Sequence, residues 1–247
     1  MRYFLELAYR GTAYHGWQIQ ANAHSLQAEI QHKMGILLKQ PVEIVASGRT
    51  DTGVHARQQV VHFDSPQILQ PAFLHKLNAL LPKDIAAYQL YEVPADWHAR
   101  FTATSRRYAY YITSRKDPFE QGLSFYLPLA LQVSLMQQAA ALLPQQVNYQ
   151  SFSKVKTEVK HFDCQVFDAN WQVVPDGLVF HIEANRFLRG MVRALVGTMI
   201  EVGKQKLSLE KFAAIFQQQD RRAAGWAAPP DGLFLEAITY PPLPVSY

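Results

Sequence analysis

The sequence predicts an α+β chain built from two lobes, on three observations. Apolar residues alternate over residues 2–9, as in a strand, and then recur at helical spacing from Leu26 to Leu38. Over residues 2–92 the predicted order is strand, helix, strand, strand, helix, strand, which is that of a split βαβ unit. The second half repeats this order of elements without evident sequence identity to the first.

Each element has its own local signal. Ser25 directly precedes the first apolar-periodic stretch and is a favourable helix N-cap. The turn signal Pro175-Asp176-Gly177 separates two strands of the second half. Beyond residues 2–9, strands are predicted at 42–47, 58–64, 85–92, 106–113, 159–168, 177–184 and 233–239. Helices are predicted at 26–38, 71–81, 132–143, 187–202 and near 208–217.

We place the boundary between the lobes near residue 104, which gives domains of residues 1–104 and 105–247. We expect their antiparallel sheets to be joined, with a cleft between the lobes as the place for a large substrate. The net charge of +4 permits a polyanionic partner without requiring one.

Composition narrows the function classes. Cys164 is the single cysteine, so an intrachain disulfide and a CxxC site are excluded. No apolar run approaches the roughly 20 residues of a membrane span, and the first residues lack the apolar stretch of a signal peptide. We therefore expect a soluble, cytoplasmic protein with no membrane partner. The sequence contains no HExxH, GxGxxG or GxxxxGK[ST] string. We therefore expect no metal site and no nucleotide cofactor.

The densest polar segment is residues 46–56, between two predicted strands. Gly48 and Gly53 bracket Asp51 and allow the backbone to bend, and Arg49 lies two residues before the acid. Asp51 is therefore a candidate catalytic carboxylate at a sheet edge. Taken alone, the segment is explained better by an Asx-turn in which the carboxylate caps its own loop.

Two further segments combine cationic and aromatic side chains. In residues 99–111 arginines alternate with tyrosines such as Tyr108, which suits phosphate binding and base stacking, although an ordinary half-solvated strand explains it equally well. In residues 184–198, Arg189 and Arg193 lie one turn apart at the rim of an apolar stripe. A core helix whose arginines extend to water explains that pattern too.

Taken together, these segments resemble the TruA family of pseudouridine synthases over nearly the whole chain. Thr52, Gly190 and the stretch after Cys164 depart from residues that are frequent in that family. The matching strings are Tyr14-His-Gly-Trp-Gln18, Gly48-Arg-Thr-Asp-Thr-Gly-Val-His55, Phe101 with Arg107-Tyr108-Ala-Tyr110, Ser151-Phe152-Ser153, Phe187-Leu-Arg-Gly-Met-Val-Arg193 with Val196-Gly197, and Pro229-Pro-Asp-Gly-Leu-Phe-Leu235.

The resemblance implies a fold, a substrate and a reaction. The fold would be two ferredoxin-like (RRM-like) lobes fused into a pseudouridine synthase domain, in a homodimer. The substrate would be uridines 38, 39 and 40 of the tRNA anticodon stem-loop. The reaction breaks the N1 glycosidic bond, turns the uracil and rejoins it to the sugar through C5. It requires no cofactor and no metal.

The resemblance also implies roles for particular residues. Asp51 would be the nucleophile, attacking either C1′ of the sugar or C6 of the uracil. Arg193 would pair with it and favour its charged form. Tyr108 would stack on the target base, and Arg49 would fill the space that the base leaves when it flips out. The further candidates for substrate binding are Arg107, Phe152 and Arg189.

Three rival functions are distinguishable from the sequence. A non-catalytic RNA-binding protein with two RRM-like lobes explains the basic and aromatic strands, but not a carboxylate held between glycines beside an arginine. A zinc deaminase lacks its histidine–glutamate signature here and would need more than one cysteine. A methyltransferase is disfavoured because no glycine-rich cofactor loop follows a strand.

Overall fold

The structure is a computed structural model that describes residues 1–155 and 159–243. The chain is mixed α and β, as predicted. It forms two compact units, Met1–Ser105 with the described residues from Phe234 onward, and Arg106–Leu233. The predicted division into domains at residue 104 stays a prediction, as does the ferredoxin-like description of each lobe.

The first unit has a sheet with two helices. Its helices are α1 (Leu26–Leu38) and α2 (Ala72–Leu80), and its strands are β1 (Arg2–Tyr9), β2 (Val45–Ala46), β3 (His55–Asp64), β4 (Ile85–Val93) and β9 (Leu233–Thr239). Strand β1 lies between β4 and β3, antiparallel to both, and β2 pairs with β3. The C-terminal strand β9 runs parallel to β3.

Alternation of side chains along β1 and β3 sets the core of this unit. Tyr3 stacks on Phe63 at 5.7 Å, and Phe63 packs on Phe73 of α2 at 6.3 Å. Helix α1 begins where the sequence predicts, because the Ser25 hydroxyl accepts a hydrogen bond from the Ala28 backbone N–H.

The described residues of the second unit form three α-helices, α3 (Val133–Ala141), α4 (Met191–Gly203) and α5 (Leu209–Gln218). Its strands are β5 (Ser105–Thr113), β6 (Phe125–Tyr126), β7 (Val166–Val174) and β8 (Gly177–Ala184). Strand β8 lies between β5 and β7, antiparallel to both. Along the β5–β8 ladder, Tyr108 faces Ile182 and Tyr110 faces Phe180, while Arg107 on the other side of the sheet faces Glu183.

Three predicted elements are corrected. The strand predicted at 42–47 is only the two residues of β2, because side chains of α1 form hydrogen bonds with the backbone of Ile44. Gln31 accepts from the Ile44 N–H, and Gln27 donates to the Ile44 carbonyl. The strand predicted at 159–168 is wrong for residues 159–165. The Cys164 N–H donates to the carbonyl of Val147 instead of joining the sheet.

The real strand β7 continues to Val174 because Ala169 and Trp171 are buried in alternation with polar residues.

The helix predicted from 187 begins at Met191 instead. Gly190 adopts a left-handed φ of +72°, which separates α4 from the loop before it.

Candidate active site

The loop that carries Asp51 joins β2 to β3 in the first unit. Asp51 is half-buried, and Arg49 two residues earlier is exposed. Gly53 has a φ of +79°, and the Val54 N–H donates to the Asp51 carbonyl at 3.1 Å, which closes a tight turn directly after the acid. The loop therefore presents Asp51 at a tight turn four residues before β3 begins.

A buried polar network lies under this loop. The hydroxyl groups of Tyr9 and Thr50 share a hydrogen bond of 2.9 Å, and Gln59 reaches Ser47 and Gly48. Burial raises the pKa of Tyr9 to about 12, so its hydroxyl stays protonated. Sequence analysis missed this network. The available signal was polar character at core-facing positions of β1 and β3.

The segment before α1 supports the same loop from the side. The Trp17 N–H donates to the Thr50 carbonyl at 3.0 Å, and the Gly11 N–H donates to Nδ1 of His55 at 3.1 Å. His55 is fully buried and stacks on Phe234 of β9 at 4.5 Å. Its Nδ1 accepts this hydrogen bond and therefore carries no proton. His55 thus links the start of β3 to the segment before α1.

In the second unit, Tyr108 is half-buried on β5. Its ring meets the ring of Phe187 edge-on, at 4.9 Å and an interplanar angle of 81°. This contact fixes the plane of the tyrosine, as base stacking requires. Arg107, the next residue towards the N-terminus, has a side chain that is 54% exposed and pairs with Glu183 at 3.0 Å.

Arg193 is held on an almost wholly buried helix. Eleven of the thirteen residues of α4 are buried, and Arg193 and Glu201 are the two that keep partial exposure. The Arg193 Nε donates to the Ala228 carbonyl at 2.6 Å, and the Ala228 N–H donates to the Arg193 carbonyl at 2.9 Å. The guanidinium thus has a fixed direction.

The close approach of α4 to this loop depends on Gly197. A Cβ atom there would stand 2.0 Å from the carbonyl oxygen of Trp226, so any other residue would push the loop away. Tyr110, beside this loop, donates to the Pro229 carbonyl at 2.8 Å. Burial raises the pKa of Tyr110, and the charge of Arg193 opposes that rise.

A family profile described as tRNA pseudouridine synthase matches residues 7–102 and 139–241, which is most of the chain. The chain belongs to the tRNA pseudouridine synthase family. The resemblance to the TruA type is thereby confirmed, and the chain is an isomerase that acts on uridine in tRNA. The non-catalytic, deaminase and methyltransferase alternatives are set aside.

Individual relatives cover nearly the full length. The tRNA pseudouridine synthase A of Porphyromonas gingivalis is 46% identical over 245 residues, covering 97% of both chains. The enzyme of the same name from Parabacteroides distasonis is 46% identical, covering 97% of this chain and 96% of its own. The Exiguobacterium enzyme is 38% identical, with 96% of each chain covered.

Four of the predicted site residues of this pseudouridine synthase form two pairs that are close in sequence. Arg49 and Asp51 share one loop, whereas Arg107 and Tyr108 are neighbours whose side chains leave opposite faces of β5. The matched segments include the Asp51 loop and Arg193, while Arg107 and Tyr108 lie outside them. The pairing of Asp51 with Arg193 stays a prediction.

Arg189 and Phe152, both predicted to contact the substrate, differ in their exposure. Arg189 is exposed in the loop before α4, and its carbonyl accepts a hydrogen bond from the Lys154 N–H at 2.9 Å. Phe152 is fully buried against Tyr149 and Phe216. A ring with no accessible surface cannot touch RNA without a rearrangement, so Phe152 packs the core in this structure.

The described residues carry neither a cluster of metal ligands nor a membrane-spanning helix. There, no three histidine, cysteine, aspartate or glutamate side chains converge as metal ligands would. Burial raises the pKa of the Cys164 thiol to about 11, so it is a poor ligand and a poor nucleophile. No helix in this part of the chain has the length and apolar character needed to cross a membrane.

Proposed function

We propose that this pseudouridine synthase isomerises uridines 38, 39 and 40 of the tRNA anticodon stem-loop, with Asp51 as the nucleophile. The observation that carries the proposal is the rigid presentation of Asp51. Its carbonyl closes a turn on Val54, and the preceding Thr50 is bonded through both its carbonyl and its hydroxyl. A nucleophile fixed in this way reduces the entropy lost on reaching the transition state.

The other residues serve the flipped uridine. Tyr108, with its plane set by Phe187, stacks on the uracil and keeps it in place while it turns. Arg49 is exposed and long enough to enter the stem and occupy the space of the flipped base. That contact offsets part of the few kcal/mol that unstacking costs.

Arg193 provides the positive charge that pairs with the Asp51 carboxylate. The guanidinium fork matches the geometry of a carboxylate, so Arg193 would also orient Asp51. Arg107 and Arg189, both exposed, bind phosphates without reading sequence.

The enzyme works as a homodimer in the cytoplasm and needs no cofactor. The isomerisation leaves the composition of the substrate unchanged and involves no net oxidation or hydrolysis. The bond between N1 and C1′ breaks and a bond between C5 and C1′ forms. C5 releases its hydrogen to solvent as a proton, and N1 takes up a proton. Turnover is therefore followed directly by tritium release from tRNA that carries C5-labelled uridine.

The deciding experiment compares Asp51→Asn with Asp64→Asn. Asparagine keeps the size of Asp51 but is no nucleophile, so tritium release should vanish while tRNA binding persists. Asp64 pairs with Arg2 at 2.8 Å at the far end of β3, so its variant should lose some stability and keep its activity. Turnover by purified Asp51→Asn would exclude the nucleophilic role.

Mapping pseudouridines in tRNA from cells that lack the protein tests the positions modified. Loss at 38, 39 and 40 with restoration by the wild-type gene is the expected result. Loss at other positions would overturn the proposed substrate site while leaving the isomerase chemistry intact.

A further inference from the structure

Gln59 and Tyr9, in the buried polar network under the catalytic loop, have no part in the residue roles described so far. We infer that Gln59 and Tyr9 are positioning residues, which hold residues 47–50 so that Asp51 is presented in the geometry that isomerisation requires. This inference rests on the proposed role of Asp51 as nucleophile. It concerns side chains that never touch the substrate, because both are buried in the first unit.

Gln59 uses both ends of its carboxamide. Its Oε1 accepts from the Ser47 hydroxyl at 2.6 Å and from the Val60 N–H at 3.2 Å. Its Nε2 donates to the Gly48 carbonyl at 3.0 Å and to the Tyr9 hydroxyl at 3.4 Å. Donors meet one end and acceptors the other, so only one orientation of the amide satisfies the set.

Tyr9 extends the network to the residue next to the nucleophile. Its hydroxyl lies 2.9 Å from Oγ1 of Thr50, which directly precedes Asp51. Its ring packs against Trp17 at 5.9 Å, and the Trp17 N–H holds the carbonyl of the same threonine at 3.0 Å. Thr50 is therefore fixed at both its side chain and its main chain.

The network is polar where an apolar core would fold more easily. Burying the amide of Gln59 and the hydroxyl of Tyr9 requires that each find partners, and a leucine and a phenylalanine in their places would fill similar space without that cost. Every side-chain bond of Gln59 beyond its own strand ends on Tyr9 or on residues 47 and 48. The polar groups thus tie the loop to the sheet, which an apolar filling cannot do.

The test uses Tyr9→Phe, Thr50→Val and the double variant. Each single change should lower the single-turnover rate of tritium release about 10- to 100-fold, the range expected when a reacting group is misplaced by up to about 1 Å. The affinity for tRNA should stay within about 2-fold. Both changes delete the same hydrogen bond, so the double variant should be little worse than either single one.

Tyr3→Phe is the matched control. Tyr3 lies on the same strand, is fully buried, and accepts a hydrogen bond from the Leu69 N–H at 3.2 Å, away from the loop. It should lower the melting temperature and leave the rate unchanged. Gln59→Leu should lose more activity than Tyr9→Phe. If Gln59→Leu fails to fold, the Tyr9 and Thr50 variants still decide the question.

The possible outcomes separate this inference from the proposed function. If Asp51→Asn is inactive but Tyr9→Phe and Thr50→Val react at the wild-type rate, the positioning role is overturned and the nucleophile stands. If Asp51→Asn turns over tRNA, the proposed function falls first. A shifted pH–rate profile in Tyr9→Phe would make Tyr9 an acid or base and would also overturn the inference. An unshifted profile with a lowered rate supports it.

Discussion

Replacing Gly16 with alanine tests how closely the catalytic loop depends on the segment before α1. Gly16 has a φ of +87°, where an L residue is strained by roughly 1–2 kcal/mol. A methyl group there would stand 2.8 Å from the Thr50 carbonyl oxygen, 3.1 Å from the Thr52 nitrogen and 3.2 Å from the Asp51 carbonyl carbon. All three are backbone atoms of the loop and cannot rotate away, so the loop itself must move.

The size of that movement sets the expected loss. Ordinary van der Waals contact for a Cβ begins at 3.4 Å, so relieving the closest contact displaces the Thr50 backbone by about 0.6 Å. A misplacement of about 1 Å can cost about 100-fold in rate, so Gly16→Ala should react about 10- to 30-fold more slowly. The backbone strain should lower the melting temperature by about 2–8 °C.

The assay is single-turnover tritium release, with tRNA affinity and thermal melting measured on the same preparations. Gly122→Ala is the control, because Gly122 also has a left-handed φ, of +73°, but lies in a loop of the second unit. It should lose stability alone. If Gly16→Ala kept the wild-type rate although its melting temperature fell as far as that of Gly122→Ala, the contact between Gly16 and the loop would not position Asp51.

Four further predictions concern binding, charge and pH. Tyr108→Ala should lose far more activity than Tyr108→Phe, because stacking is worth about 1–3 kcal/mol per base; equal loss in steady-state assays would implicate the hydroxyl. Arg193→Lys should fold but turn over tRNA much more slowly, and a crystal structure with its wild-type guanidinium beyond about 6 Å of Asp51 would refute the pairing. Affinity for tRNA should fall steeply with salt in filter binding, and a flat dependence would mean few phosphate contacts. Burial lowers the pKa of His62 to about 4 from 6.5, so its stabilising effect is complete above about pH 6.5 and is lost as pH falls towards 4; thermal melts of His62→Gln should show a weaker acid dependence.

Periodicity and end signals predicted most of the elements, because burial on one face imposes them locally. Strand β1, helix α1 with its Ser25 cap and strand β8 lie where the pattern places them. The failure at 159–165 has a physical cause. Apolar alternation reports burial, and Cys164 is buried while its backbone is bonded to Val147 rather than to a neighbouring strand.

Only the part of the site that has a distinctive local sequence could be predicted. Asp51 lies between glycines beside an arginine, and that string was recognisable. Tyr9 and Gln59 lie in strands whose other residues are ordinary. Their importance depends on contacts between residues far apart in sequence, because Tyr9 meets Thr50 at a separation of 41 positions and Gln59 at a separation of 50. No local pattern encodes such a pairing.

The geometry also explains why two separated strings belong to one site. Residues 14–18 include none of the residues proposed for the chemistry, and yet Trp17 and Gly16 lie directly against the backbone of residues 50–52. Gly11 reaches the same loop by donating to His55. The first string is therefore the support on which the second rests. The small and aromatic residues of 14–18 allow the two backbones to approach closely. Substitutions there should therefore impair catalysis even though these residues need not contact tRNA.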